Sequence, residues 1–456
     1  MVAGAAEDNV RQSTLSASKA QMDLLRLLGL NAVRITTVWT PGAIAPNATE
    51  ANALSNVDQA AKLSGLRVYI QVMNAGSRTT PLPGKDQANF ASYVAAIATR
   101  FSSFRNFVIG NEPNLNRFWL PQFGPKGEDV AAQNYELLLA QTYDALKAVS
   151  KDVVVWGGGL SPRGEDKPNS IRPTHSPTQF ILDMATAYRG SGRPTPIMDG
   201  LALHPYEDSS SLPPTFQHPK TTTIAIADYA KLIGILGQAF DGTPQPGTQL
   251  PLLYDEFGVE SQIPSDKAGM YSGTEAASTH PVDEPTQAKY YADALAIAFC
   301  QPNVRGFFIF HTADEKALDR WQSGLYYVDG TKKSGFDAVR VAVRASLGGT
   351  LARCPGLQLT PAPKLSVPPT KPYQHAIPAV TMQCDIDCNF QVRLEKLPSH
   401  GTVAAIYGRS LARASTRVAV RQRRLARAQY RFTARVTAPV NVGPPGTTSS
   451  RAFTLG

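Results

Sequence analysis

The strongest constraint on this 456-residue chain is a repeat. Across about the first 350 residues, a short apolar run is followed eight times by a longer segment with helical spacing. The runs fall at 2–6, 32–39, 67–73, 153–156, 201–203 and 304–310, with two more leading to Glu112 and Glu256. The stretch Ala32-Val33-Arg34-Ile35-Thr36-Thr37-Val38-Trp39 reads as a strand from its branched residues. Between the runs, residues 18–28 place Met22, Leu25 and Leu28 on one helical face before Gly29. Helices are likewise expected at 54–63, 86–101, 129–149, 178–188, 224–240, 286–299 and 336–347. Eight strand–helix units predict a (β/α)8 barrel, a TIM barrel of the α/β class. The runner-up, an open doubly wound sheet, lacks its Gly-rich phosphate turn after the first strand.

Loop lengths give the barrel a polarity. Turns from helix to strand are short, as at Gly29-Leu30-Asn31, whereas 159–176 and 257–283 after strands are long. Long loops on the C-terminal side of the strands are where a barrel builds its active site.

The barrel is expected to span 1–355. Prolines at 361, 363, 368, 369 and 372 then read as a stiff linker over 356–372. From 373 to 456, short alternating runs such as Phe390-Gln391-Val392-Arg393-Leu394 predict a small antiparallel β-sandwich. The formal net charge of +9 belongs to this last segment, because the residues before it are balanced. The densest cluster is Arg417, Arg421, Arg423, Arg424, Arg427, Arg431 and Arg435. A solvated face that discourages edge pairing accounts for it first; a surface for acidic glycans or cell-wall polymers is the functional reading. No nucleic-acid-reading module accompanies the charges.

Four cysteines suit two disulfides, Cys384 with Cys388 and Cys300 with Cys354, against buried free thiols or a zinc site with His375 and His400. Disulfides imply an oxidising compartment, so a secreted or cell-surface location is expected. No signal peptide is visible after Met1, and no run of about 18 apolar residues predicts a transmembrane helix.

Two of the strands end in glutamate, at Asn111-Glu112-Pro113 and Tyr254-Asp255-Glu256. Cleaving a glycosidic bond needs two carboxyls, one protonating the leaving oxygen and one acting from the opposite face. A barrel can supply both, since its strand ends converge on one opening. Asp255 complicates the choice, because regular alternation sends it and Glu256 to opposite faces. Trp39, Phe118, Trp119 and Trp321 lie in strand-end loops where they can stack on sugar rings. Trp156, within a strand, reads as core.

Asn111-Glu112 on strand four and Glu256 on strand seven resemble the clan-A retaining glycoside hydrolases, the cellulase-like barrels. The resemblance covers roughly 1–350. It implies a retaining O-glycosidase acting on an oligo- or polysaccharide, with Glu112 as acid/base, Glu256 as nucleophile and no metal or organic cofactor. Asn111 would then bond the sugar 2-hydroxyl, Arg34 would support the nucleophile, and His204 and Tyr206 match the polar pair after strand six. The clan's tryptophan ending strand eight is missing here, where the chain reads Phe310-His311. His311, Phe310 or Trp321 would take its place. Two rivals stand beside this reading: a catalytically silent carbohydrate-binding barrel, and a metal hydrolase. The second is weakened by only seven histidines, none at ligand spacing on a strand end.

Overall fold

A computed structural model describes residues 1–350, 360–367, 378–385, 388–410, 414–420, 425–438 and 444–455. The chain divides into two compact units, Met1–Pro246 with Leu250–Gly356, and Leu357–Gly456 with Gly247–Gln249.

In the first unit, eight parallel strands close into a barrel in sequence order. They are β1 (Val2–Ala6), β2 (Ala32–Trp39), β3 (Arg67–Asn74), β4 (Asn106–Ile109), β5 (Val154–Leu160), β6 (Gly200–Leu203), β7 (Leu252–Phe257) and β8 (Val304–Phe310). The helices between and after them are α1 (Leu15–Leu28), α2 (Ala48–Ser64), α3 (Lys85–Arg100), α4 (Val130–Val149), α5 (Pro177–Ser191), α6 (Tyr229–Phe240), α7 (Glu284–Cys300) and α8 (Phe336–Gly348). Side-chain oxygens of Thr14, Asn47, Asp129, Ser176 and Asp283 accept the amide hydrogens left free at five helix starts. This is the (β/α)8 barrel that the repeat predicts.

One residue from each strand meets inside the barrel: Val2, Ala32, Tyr69, Val108, Trp156, Ala202, Leu253 and Phe308. Such a layer makes the interior a packed core, each large side chain contributing about 1.5–3 kcal/mol by leaving water. Trp156 is therefore core, as read from the sequence.

The structure departs from expectation at two elements. β5 does not stop at Gly157 but runs on through three glycines to Leu160. A Cβ on Gly157 would lie 2.7 Å from the end of the Leu139 side chain, so any larger residue there would have to displace it. Gly158 has φ 99° and marks a register shift against β6, a bulge rather than a stop. The helix expected from 224 begins instead as a 3-10 turn at Ile226–Asp228.

The second unit has two antiparallel sheets. One is ordered β13 (Thr416–Ala419), β10 (Ala379–Cys384), β9 (Pro363–Ser366). The other is ordered β12 (Gly401–Ser410), β11 (Cys388–Lys396), β14 (Ala428–Thr437), β15 (Gly446–Ser449), with β16 (Phe453–Leu455) also on β14. Val380, Met382 and Val418 from one sheet share a core with Val392, Leu394 and Phe432 from the other. Part of the stretch read as linker is thus a strand: Pro363 lies at its end, where a missing amide hydrogen costs little.

Cys384 and Cys388 form a disulfide, which removes both thiolates from any zinc site; Cys354 and His375 lie outside the described residues. Arg431 and Arg435 share the outer face of β14 with Thr433, and Arg431 pairs with Glu395. Arg421, Arg423 and Arg424 lie outside the described residues. Among the described residues, no helix is long and apolar enough to cross a membrane.

Candidate active site

β4 ends at Ile109, and the chain turns through Gly110 at φ 85° to reach Glu112. Glu112 itself has φ 41°, which crowds the Cβ of any residue but glycine and costs about 1–2 kcal/mol. Two hydrogen bonds hold it there: its amide donates to the Gly159 carbonyl at 2.9 Å, and its own carbonyl accepts from Leu115 at 2.9 Å. From α4, the Tyr135 hydroxyl donates to the Ile109 carbonyl and accepts from the Gly158 amide, each at 2.6 Å, which ties β4 to the bulge in β5.

His204, fully buried just beyond β6, joins the two glutamates. Its Nδ1 is 3.1 Å from one Glu112 oxygen and 3.4 Å from one Glu256 oxygen. Those oxygens are therefore at most about 6.5 Å apart, the two legs laid end to end. The Nε2 atom faces Asp255 at 3.5 Å. Burial alone would push the imidazole down, but Glu256, Asp255 and Glu112 outweigh it and raise His204 to about 10.

Glu256 is held more fully than Glu112. Arg34 donates to it at 2.5 Å and the Tyr206 hydroxyl at 3.0 Å. The same guanidinium bonds Gln71 and lies 4.0 Å from Asp255. Burial lowers the Arg34 pKa, yet Glu256 and Asp255 more than restore it. Tyr206 is pushed far up, by burial first and then by Glu256 and Glu112, so it remains a donor.

Asp255 and Glu256 both approach Arg34 and His204, although alternation predicts opposite faces. The ladder between β7 and β8 is irregular from Tyr254 to Phe257, which breaks the alternation. Asp255 is wholly buried, whereas Glu256 keeps 8% of its surface exposed.

A cavity of about 580 Å³ opens beside this cluster. Glu112, Tyr206, Phe257 and Trp321 line it, together with polar residues from the loops after β5, β6 and β7, among them Arg163, Glu207 and Glu260. Burial, then Asp228 and Asp208, raises Glu207 to about 9; burial is also the main reason that Glu260 rises to about 7. Such an opening, with a buried ion cluster at its wall, can admit a small polar ligand and present it with two carboxyls.

No protein-family model and no curated protein matches the chain. Solved structures do. A GH5_18 protein from Streptomyces cattleya in complex with GlcNAc is 16% identical with a TM-score of 0.52, over 77% of this chain and 81% of that one. A GH39 enzyme from Xanthomonas axonopodis pv. citri is 15% identical with a TM-score of 0.49, over 92% and 91%. Against Bacteroides uniformis beta-glucuronidase 2, at 11% identity and a TM-score of 0.44, the match takes in 96% of this chain but only 42% of the other. The chain shares its barrel fold with glycoside hydrolases.

The remaining candidates divide. Asn111 accepts from Gln71 at 3.0 Å and so belongs to the cluster. Trp321 stacks on Tyr206 at 5.0 Å and lines the cavity, reaching in from the loop after β8. Trp39 is fully buried, its indole donating to the Ala43 carbonyl and packing on Phe90. Trp119 is 1% exposed and packs against Tyr135. Neither lines the cavity: an indole at a strand end also suits the barrel–helix interface, and packing takes both. His311, at φ 63°, does not line the cavity either and lies 4.0 Å from Glu7 and 3.9 Å from Glu315. Gln71, which links Arg34 to Asn111, is not among the residues that strand-end spacing singles out, although a lone amide inside the apolar run of β3 is a legible signal. Metal-ligand side chains close enough to share an ion are found, among the described residues, at Asp129, His175 and Asp183.

Proposed function

We propose that the chain is a retaining glycoside hydrolase with Glu112 as acid/base and Glu256 as nucleophile. The observation that carries the reading is the shared imidazole: Glu112 and Glu256 both meet His204 Nδ1, with Arg34 on Glu256 alone. Retaining pairs stand about 5–5.5 Å apart and inverting pairs about 6.5–9.5 Å, so a limit of about 6.5 Å between the facing oxygens favours retention.

In the first step a Glu256 oxygen bonds to the anomeric carbon as the bond to the leaving oxygen breaks. Glu112 gives that oxygen its proton. In the second, water attacks the anomeric carbon, Glu112 takes a proton from it, and Glu256 departs as carboxylate. Trp321 offers a ring face to the sugar, and Gln71 sets Asn111 for a hydroxyl. No step calls for a metal or organic cofactor. The Cys384–Cys388 disulfide suits an oxidising compartment, so export is part of the proposal.

Proton NMR of the first-formed product from a chromogenic glycoside tests the mechanism. Retained anomeric configuration is expected; an inverted product, or full turnover by both Glu112→Gln and Glu256→Gln, overturns it. Since the Streptomyces cattleya neighbour is bound to GlcNAc, N-acetylglucosaminides belong in the first substrate panel.

A further inference from the structure

A second group of ionisable side chains sits at the start of α4 and along α5. Asp129, His175 and Asp183 each present one ligand atom, and these atoms lie within 4.8 Å of one another. Asp129 caps α4 through one oxygen, which accepts from Ala132 at 2.7 Å. Its other oxygen is buried with no hydrogen-bond partner, in a residue only 6% exposed. A buried carboxyl oxygen without a donor is costly. Among the described residues, no lysine or arginine lies within 4.0 Å of Asp129, Asp166 or Asp183, and the basic group beside Asp129 is the His175 imidazole.

His175 is 1% exposed, and its ring is fixed between Phe123 and Phe180. Nε2 lies 3.2 Å from Asp129 Oδ1 and 3.1 Å from the Gln122 carbonyl oxygen. The Gln122 carbonyl can only accept, so Nε2 carries the ring hydrogen and gives it up when an ion binds. Nδ1 has no hydrogen-bond partner and faces an Asp166 oxygen 4.0 Å away. Asp183, half-buried, is positioned by Gln179, whose amide donates to it at 2.9 Å. Asp129 and Asp183 both border a surface cleft of about 390 Å³, through which an ion can arrive.

We infer that Asp129, His175 and Asp183 form a binding site for a divalent transition-metal ion of the zinc or manganese kind. One imidazole with two carboxylates favours such an ion over calcium or magnesium, which take oxygen ligands. The role is structural. His175 donates its amide to the Asn114 carbonyl at 2.9 Å, and the Asn114 side chain bonds back to the carbonyls of His175 and Ser161. The ion thereby braces the loop that carries Glu112. Strand-end spacing could not reveal these ligands, which come from a helix cap, a loop and a helix.

The test is isothermal titration of the full chain, dialysed against chelator, with zinc chloride and separately with manganese chloride. One-to-one saturable binding is expected for at least one ion. Asp183→Asn, at a half-exposed position that leaves the core untouched, should weaken it by at least about tenfold, and His175→Gln by no less. Thermal melts of the metal-free proteins check that the variants are folded. Absence of saturable binding, or affinity unchanged in Asp183→Asn, overturns the proposal.

Discussion

Glu112 and Glu256 meet at one imidazole but are delivered and held differently. Glu256 lies within β7, under Arg34, Tyr206 and His204. Glu112 stands past the end of β4 on left-handed backbone, and its side chain meets His204 alone among these groups. The first arrangement fixes a negative charge in place; the second leaves a carboxyl exposed enough to exchange a proton with a ligand. In the proposed reaction the nucleophile needs the first and the acid/base needs the second.

The largest expected effects separate the two directly. Glu256→Gln removes the attacking oxygen's charge, so turnover should collapse on every substrate, beyond the loss caused by any acid/base change. Glu112→Gln should cost about 10²–10⁴-fold with a poor leaving group. With an activated aryl leaving group, which departs without a proton, its loss in the first step should be far smaller. Burst kinetics on both substrates measure this, and equal losses for the two variants on the aryl glycoside would erase the distinction.

Arg34 is what makes the holding unequal, because it bonds Gln71 and Glu256 at once. A lysine keeps the charge but loses the planar fork. Arg34→Lys should lower kcat/KM by roughly 10–100-fold, the equivalent of a charged hydrogen bond of about 1.5–3 kcal/mol. Rates that match the parent would show that charge alone suffices.

Much of this is legible in the residues alone. Strands buried on both faces announce themselves as apolar runs, and a left-handed Gly29 closes α1 as expected. The strand-end glutamates are legible for the same reason, since a carboxylate ending an apolar run has few structural uses. What failed depended on packing between distant segments. Gly157 reads as a stop until Leu139 is seen to fill its side-chain space. Trp39 and Trp321 look alike in sequence, yet one is sealed against Phe90 and the other stacks on Tyr206. The nearness of Asp255 to Arg34 needed an irregular ladder that no periodicity announces.

The shared imidazole gives the comparison a pH signature. His204 is raised from 6.5 to about 10 in the fold, so the native state holds its proton more tightly than the unfolded chain does. The stability this provides is complete below about pH 6.5 and is lost as pH rises through about 10. Thermal midpoints should fall across that window, and His204→Gln should flatten the slope. Glu256→Gln should also reduce it, more than Glu112→Gln does, because Glu256 is the largest of the influences that raise the imidazole. A slope of equal size in all four proteins would mean that other groups set it.

The smallest effect concerns the backbone beneath Glu112. At φ 41° a glycine avoids the Cβ crowding that a glutamate endures, which favours Glu112→Gly by about 1–2 kcal/mol. Against this stand the lost contact with His204 and the greater freedom of glycine in the unfolded chain, about 0.5–1 kcal/mol. The balance should leave Glu112→Gly at least as stable as Glu112→Gln in thermal melts, while both lose activity. Glu256, on strand backbone, has no such strain to relieve, so Glu256→Gly should melt well below Glu256→Gln. If Glu112→Gly is also clearly the less stable of its pair, the left-handed turn stores no strain that a glutamate must bear. The unequal delivery of the two carboxyls would then be a matter of side-chain partners alone.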